Sequence, residues 1–296
     1  MQQETRRVFL KQSMAFGALA GAAGPLGQAL AGEAPDAAAG KMRLGFVTYL
    51  WGQDWDLPTL IANCEKTRIL GLEPRVEHKH GLKLSMSADE RKAVRKRFAD
   101  SPVAFVGMGT NECYDSPDPA RLATSIETTK AWLQFSADCG GSGVKVKPND
   151  FQKGVDHAKT IEQIGKSLND LGKTAADLGQ QLRLEVHGSC SELPTIKAIM
   201  DVAKHPSVGV CWNCNDEDLK GAGLDANFAM VKDRLGATVH VRELNIGKYP
   251  YQQLIGLLAK ARYAGWVLLE CRTKPADRVA AMIEQREVFE KMLAGV

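Results

Sequence analysis

Short apolar runs alternate with longer amphipathic stretches over residues 42–296. An apolar run of five to eight residues is typical of a buried strand, whereas apolar residues spaced three or four apart indicate a helix. Helices are predicted at 120–139, at 160–178, from Ser191 onwards with Pro194 in the first turn, and at 276–293. The predicted strands are 43–50, 72–77, 103–108, 143–147, 182–187, 207–213, 238–243 and 266–270.

This order of elements predicts the fold class. Eight strand–helix units in about 250 residues match the size of an α/β protein with a single (β/α)8 TIM barrel. The alternative is an open doubly wound sheet, which usually carries a glycine-rich phosphate turn after its first strand. The first strand here leads into Tyr49-Leu-Trp-Gly-Gln-Asp54, which has no such turn. The sequence therefore favours the barrel.

The N-terminal segment has the pattern of an export signal. Thr5-Arg-Arg-Val-Phe-Leu-Lys11 matches the twin-arginine pattern, an apolar run at 13–26 follows, and Ala29-Leu30-Ala31 offers a cleavage site. The apolar run is too short and too rich in glycine for a stable membrane span. We therefore expect the twin-arginine translocase to export the folded chain to the periplasm.

These features divide the chain into a signal peptide at 1–31, a linker at 32–41 and the barrel domain at 42–296. Loss of the signal removes three basic residues and one acidic residue, so the formal charge of +3 falls and the remainder is nearly neutral. With no basic block interleaved with aromatic residues, nucleic-acid binding receives little support. The seven scattered cysteines argue against a disulfide framework.

Polar residues recur where the later strands end, which is where barrels carry their active sites. Each has an ordinary explanation by itself: a buried ion pair for Glu185 or Glu270, and a satisfied core histidine for His240. Their recurrence on successive strands instead favours a divalent metal site, since carboxylates, histidine and amide oxygens are its ligands. Strand alternation predicts that the following residues face inward: Lys145, Lys147, Arg183, Glu185, His187, Asn213, Thr238, His240, Arg242 and Glu270.

Cys211-Trp-Asn-Cys214 has the spacing of a redox pair or of half a zinc site. A redox pair normally lies at a helix N-terminus, which lowers the thiol pKa. This pair straddles the end of a strand and has no second C-x-x-C. We therefore predict two reduced thiols at the edge of the core.

Four segments together resemble the xylose isomerase-like TIM barrel superfamily, which includes sugar and sugar phosphate isomerases and epimerases and the apurinic endonuclease four family. The resemblance extends from Leu44 to Leu293. It is carried by Leu-Glu-Val-His-Gly at 184–188, Val-Gly-Val-Cys-Trp-Asn-Cys-Asn-Asp at 208–216, Val-His-Val-Arg-Glu at 239–243, and Gly-Trp-Val-Leu-Leu-Glu at 265–270 with Thr-Lys-Pro-Ala after it.

The resemblance implies a centre for Mn, Zn, Co or Mg. Its ligands would be Glu185, Asn213, His240 and Glu270, on four successive strands. The epimerases of the superfamily usually have an aspartate where this chain has Asn213, so we expect weaker or differently selective metal binding. Asp216, where relatives often carry a histidine, is a further candidate to supply the missing carboxylate.

The implied chemistry is proton abstraction next to a carbonyl, through an enediolate, on a free sugar or keto-sugar. Glu185 and Glu270 are the candidate catalytic pair. Alternatives are a 3-keto-glycoside lyase on the same scaffold and a non-catalytic sugar-binding barrel; an apurinic endonuclease would need a basic face that this chain lacks. A homo-oligomer is left open. Candidate substrate-binding residues are His187, Lys147 and Arg242, with Glu77 and His80, for which a solvated loop is the alternative.

Overall fold

The structure, a computed structural model, describes residues 42–296, so the predicted signal peptide and linker lie outside the described residues. The helices are α1 (Leu57–Thr67), α2 (Ala88–Ala99), α3 (Pro119–Asp138), α4 (His157–Asp177), α5 (Leu193–Val202), α6 (Leu224–Val231), α7 (Tyr251–Lys260) and α8 (Arg278–Ala294). The strands are β1 (Arg43–Val47), β2 (Gly71–Glu73), β3 (Ala104–Phe105), β4 (Met108–Cys113), β5 (Gly143–Lys147), β6 (Gln181–Glu185), β7 (Val208–Asn213), β8 (Leu235–Val241) and β9 (Trp266–Leu269).

The strands form one parallel sheet in the order β3-β2-β1-β9-β8-β7-β6-β5-β4. A bridge between Arg75 and Gly109 joins the end of β2 to β4, at the opposite side of this order. Gly109 donates to Pro74 O at 2.9 Å and accepts from Val76 N at 3.0 Å. The sheet therefore curls back on itself, and the predicted TIM barrel is confirmed over the open sheet.

The third predicted strand, 103–108, is two strands in the structure. The chain breaks at Gly107, whose φ of 141° is open to glycine, and a Cβ there would lie 2.1 Å from Gly143 O. On one side of the break β3 pairs with β2, and on the other β4 pairs with β5. The two pieces share one position in the barrel, so nine strands fill eight positions.

The second strand ends at Glu73, four residues before its predicted end. Pro74 follows and has no N–H to continue the ladder, and Glu77 has a left-handed φ of 68°. The helices begin and end within a few residues of their predicted bounds. Aspartates cap α1, α3, α4 and α8, where the side chain accepts from an N–H of the first turn.

Two apolar clusters fill the part of the chain from residue 42 onwards. The larger lies between the sheet and the helices and contains the outward-facing residues of the strands, Val267 and Leu269 among them. The smaller lies inside the barrel and consists of Val47, Val106, Trp266 and Leu268. Gly71 makes room for the Trp266 ring, because a Cβ there would lie 2.4 Å from it. This packed interior supports the polar residues at the strand ends.

None of the helices among residues 42–296 is long and apolar enough to cross a membrane. All seven cysteines are free thiols, and Cys211 and Cys214 are both buried. Burial raises the pKa of Cys214 well above its usual value, so this thiol is held in its neutral form. This arrangement agrees with the predicted pair of reduced thiols.

Candidate metal centre and active site

Four strands bring their polar ends to the same rim of the barrel. Glu185 ends β6, Asn213 ends β7, His240 is the penultimate residue of β8 and Glu270 follows β9. The register places Asn213 beside His240, and Glu270 N donates to Val241 O at 2.7 Å. Because all these strands run parallel, their carboxyl ends meet, and the side chains converge as the alternation predicted.

Glu185, His240 and Glu270 form a compact buried trio. One potential ligand atom from each lies within 4.8 Å of the others. His240 Nδ1 is 3.6 Å from Glu185 Oε1 and 4.0 Å from Glu270 Oε2. The same Nδ1 is buried and has no hydrogen-bond partner among the described residues. An imidazole nitrogen that faces two carboxylates can serve as a metal ligand when it is deprotonated.

Glu73, a residue that the sequence analysis missed, orients His240. Its Oε1 lies 3.0 Å from His240 Nε2, and both side chains are fully buried. A carboxylate can only accept, so Nε2 donates to Glu73 and Nδ1 is the nitrogen that can bind a metal once it has lost its own proton. In the predicted strand 72–77, Glu73 and Glu77 would point to the same side. Because β2 ends at Glu73, only Glu73 lies in the sheet. The sequence signal for this residue was its position directly before Pro74, because a proline ends a strand.

Opposing effects set the protonation of His240 and Glu73. Burial disfavours a charged His240, but Cys211 and then Glu73 favour the protonated ring, so the pKa of His240 is raised well above its usual value. Burial would raise the pKa of Glu73, but His240 outweighs it and holds that pKa below its usual value. In the metal-free protein, the positive charge of the protonated His240 ring offsets the negative charge of the neighbouring Glu73 carboxylate.

Glu185 is held from both sides. Its Oε1 accepts from Asn213 Nδ2 at 2.9 Å, and its Oε2 lies 2.7 Å from the Lys145 ammonium, an ion pair without hydrogen-bond alignment. Burial would raise the pKa of Glu185, but Lys145 and then His240 hold it well below its usual value. Glu185 is therefore an ionised carboxylate in a fixed position.

Glu270 has a looser environment. Arg75 Nη1 donates to its Oε1 at 3.5 Å, and no described residue donates a hydrogen bond to its Oε2. The sequence analysis also missed Arg75. Its Nη2 donates to Asn111 Oδ1 at 2.7 Å, and the same oxygen accepts from Lys147 Nζ at 3.1 Å. Burial, followed by the charge of Lys145, lowers the pKa of Lys147 to about 8. This cationic side of the mouth suits an oxyanion or sugar hydroxyls.

The structure places two predicted substrate-binding histidines differently. His187 is half-buried near Glu185, and its Nδ1 has no partner among the described residues. Burial lowers the pKa of His187, so a neutral ring faces the mouth. His80 instead holds its own loop: its Nε2 lies 2.7 Å from Arg75 O and its Nδ1 accepts from Leu82 N at 3.1 Å. Its substrate role stays a prediction.

Three further candidates lie away from the trio. Asp216 is exposed in a short 3-10 turn, Asp216–Leu219. Arg242 is half-buried, and its Nε has no partner within residues 42–296. Glu77 lies in the exposed loop after β2. No described contact joins any of them to Glu185, His240 or Glu270, and their predicted roles stay untested.

A cavity of about 430 Å³ opens between the loop after β2 and helix α3. Leu84 and Trp132 form part of its apolar wall, and Glu77 and Glu112 supply carboxylates. Asn111 lines it as well and also contacts Arg75 and Lys147, so the cavity adjoins the cationic side of the site. Its volume falls within the range of small-molecule sites.

Two carboxylate oxygens and one imidazole nitrogen fit a divalent ion such as Mn²⁺, Zn²⁺ or Co²⁺, and Asn213 could add an amide oxygen. The Glu73–His240 bond is the outer contact that histidine ligands usually make. Glu185 and Glu270 can also serve as a pair of carboxylate bases. The chemistry available is therefore metal binding combined with proton transfer.

Solved structures with a similar fold are sugar epimerases and related barrels. L-ribulose 3-epimerase is 16% identical, with 86% of this chain and 95% of that one aligned at a TM-score of 0.74. A 3-keto-D-glucoside 4-epimerase from E. coli is 14% identical over 85% of this chain and 100% of that one, at 0.72. The IOLI protein with a bound zinc atom is 13% identical over 86% and 99%, also at 0.72.

A comparison with curated proteins finds no match. At 12–18% identity the structural similarities establish the fold and leave the activity open. The family model described as "Xylose isomerase-like TIM barrel" matches residues 69–292, which is more than half of the chain. Its span covers β2 to α8 and includes every residue of the trio. The protein therefore belongs to the xylose isomerase-like TIM barrel family.

Proposed function

We propose that this protein is a divalent-metal-dependent sugar isomerase or epimerase that abstracts a proton next to a carbonyl. The observation that carries the proposal is the buried His240 Nδ1, which has no partner among the described residues and faces Glu185 and Glu270. A buried ring nitrogen between two buried carboxylates is stabilised by a proton or by a cation that replaces the proton. Family membership and the epimerase fold relatives support the same reading.

Glu185, His240 and Glu270, with Asn213, would hold the ion, and Mn, Zn, Co and Mg are the candidates. When bound, the ion supplies a Lewis acid for a carbonyl and neighbouring hydroxyl oxygen and so favours the enediolate. Glu73 holds His240 in the tautomer that leaves Nδ1 free. His187 and Lys147 are placed to orient hydroxyl groups at the mouth.

The two glutamates divide the proton transfer. Glu270 Oε2 is free of hydrogen bonds from the described residues, so it can take the proton from carbon while the C–H electrons form the enediolate. Glu185, fixed by Lys145 and Asn213, can deliver a proton from the other face after it has taken one up from solvent, and Glu270 then releases its own proton to solvent. Delivery to the same carbon on the opposite face gives epimerisation, and delivery to the neighbouring carbon gives isomerisation.

The second candidate is a lyase acting on 3-keto-glycosides. It would begin with the same proton abstraction, and the enolate electrons would then expel the aglycone from the next carbon. The cavity beside Asn111 favours this candidate, because its apolar and acidic wall offers a place for a second ring or an aglycone. A non-catalytic sugar-binding barrel has the same pocket and would bind without turnover.

We further propose that the chain acts outside the cytoplasm, after transport by the twin-arginine translocase. The twin-arginine motif at 5–11 supports this location, together with free thiols that suit folding before export. Export would favour a free sugar or an oxidised glycoside over a sugar phosphate. The oligomeric state is not part of the proposal.

The test combines metal content with solvent exchange. The purified full chain and a Glu185→Gln/Glu270→Gln variant are measured by elemental mass spectrometry, and free sugars and 3-keto-glycosides are incubated with each in D₂O. After soaking with the ion, we expect about one equivalent of metal in the wild type alone, and deuterium at the carbon next to the carbonyl. Tight sugar binding without deuterium incorporation would favour the non-catalytic alternative, and absence of metal after soaking would refute metal dependence.

A further inference from the structure

Lys145 places a positive charge inside the centre. It is fully buried, and its ammonium lies 2.7 Å from Glu185 Oε2 while also donating to Thr110 O at 3.1 Å. The carbonyl contact and the surrounding burial fix the ammonium at this position. The ammonium faces the Glu185 carboxylate, which forms part of the trio.

Asn213 forms a hydrogen bond with the other oxygen of the same carboxylate. Its Nδ2 donates to Glu185 Oε1 at 2.9 Å, and the residue is only 2% exposed. Both Glu185 oxygens are therefore engaged by groups of the chain itself. An ion that takes Glu185 as a ligand has to share an oxygen with the ammonium or displace the amide.

Glu270 faces a cation as well, since Arg75 Nη1 lies 3.5 Å from its Oε1. The two carboxylates of the trio thus carry two negative charges, and each already has a positive neighbour. Repulsion from Lys145 and Arg75 acts on any divalent ion between these carboxylates. Asn213 is neutral, so it adds no negative charge to offset this repulsion.

We infer that Lys145 and Asn213 are an internal substitute for the ion at Glu185, which holds the carboxylate in place when the ion is absent and competes with the ion for it. The inference rests on the metal centre of the proposed function. It gives Glu185 an internal counter-charge in the metal-free protein. It also predicts a centre of low affinity that releases its ion readily and retains its fold.

The experiment is a calorimetric titration of the chelator-treated full chain with MnCl₂, beside its thermal unfolding with and without Mn²⁺. Lys145→Met removes the ammonium at similar volume. Lys147→Met is the matched control, because it removes the same charge from the same strand but from a side chain bonded to Asn111. We expect Lys145→Met to bind Mn²⁺ about ten-fold tighter or more, with a clearly smaller change in Lys147→Met.

The melting temperature provides an independent readout. Without Mn²⁺, Lys145→Met is expected to unfold at a lower temperature than the wild type, because Glu185 loses its counter-charge. Mn²⁺ is expected to raise the melting temperature of the variant more than that of the wild type. Unchanged or weaker Mn²⁺ binding in Lys145→Met, or equal effects in both lysine variants, would overturn the inference.

Asn213→Asp covers the case in which Lys145→Met fails to fold. The substitution is isosteric, removes the donor to Glu185 and adds a carboxylate, so we expect Mn²⁺ affinity to rise about ten-fold or more. If the wild type binds Mn²⁺ and Asn213→Asp binds it no more tightly, the inference is overturned and the proposed function stands. If neither the wild type nor any variant binds Mn²⁺, Zn²⁺, Co²⁺ or Mg²⁺, the metal dependence of the proposed function falls with the inference.

Discussion

Glu73 determines which nitrogen of His240 is free, and Glu73→Gln tests this role. The substitution keeps the side-chain volume and one oxygen acceptor but introduces an amide that can also donate. Beside a glutamine, the His240 ring can adopt either tautomer, and the tautomer protonated on Nδ1 cannot bind a metal. We expect weaker metal binding with little change in the fold.

The magnitude follows from the bond that changes. Glu73 Oε1 and His240 Nε2 are 3.0 Å apart in a fully buried pair. A hydrogen bond to a charged group contributes about 1.5–3 kcal/mol, and one between neutral groups about 0.5–1.5 kcal/mol. The difference of about 1–1.5 kcal/mol corresponds to roughly ten-fold in a dissociation constant. Outer contacts of metal-bound histidines typically change affinity about 10–100-fold, which agrees.

Calorimetric titration with MnCl₂ measures the dissociation constant, and urea unfolding of the metal-free protein measures stability. We expect the dissociation constant to rise about 10–100-fold, and the free energy of unfolding to fall by about 1 kcal/mol. Glu77→Gln is the matched control, since Glu77 follows the same strand but is exposed. An unchanged dissociation constant in Glu73→Gln, or equal changes in both variants, would refute the reasoning.

Three further predictions concern catalysis, pH and export. Glu270→Gln is expected to lower deuterium exchange into substrate by about 10²–10⁴-fold without shifting the melting temperature, and retained exchange would exclude Glu270 as the base. Burial raises the pKa of Asp218 to about 7, so its stabilising effect is complete below the usual aspartate pKa and is lost as the pH rises through about 7. Urea unfolding between about pH 5 and pH 8 should show the part of this loss that falls between about pH 5 and pH 7, about 2.7 kcal/mol at most, in the wild type and the exposed control Asp216→Asn, but not in Asp218→Asn. The double variant Arg6→Lys/Arg7→Lys is expected to stay in the cytoplasmic fraction, and undiminished export would contradict the signal assignment.

The barrel was predictable from sequence because each of its elements is encoded locally. Apolar runs bounded by polar residues mark strands, and the helices between them carry their own capping aspartates. The inward direction of Glu185, His240 and Lys145 followed from strand alternation alone. Strand ends were less predictable: Gly107 divides one predicted strand, and Pro74 ends another early. Hydrophobicity contains no signal for either break.

What only the tertiary structure decided is the set of partners at the mouth. Sequence alone placed Glu185, Asn213, His240 and Glu270 on neighbouring strand ends, because parallel strands deliver their carboxyl ends to one rim. The bond between Glu73 and His240 joins residues 167 positions apart, and the contact of Arg75 with Glu270 joins residues 195 apart. Such pairs form across the closed barrel, where closure and the rotamers of packed side chains set the distances. A linear pattern records the direction of a side chain, whereas its partner depends on the packing of the whole sheet.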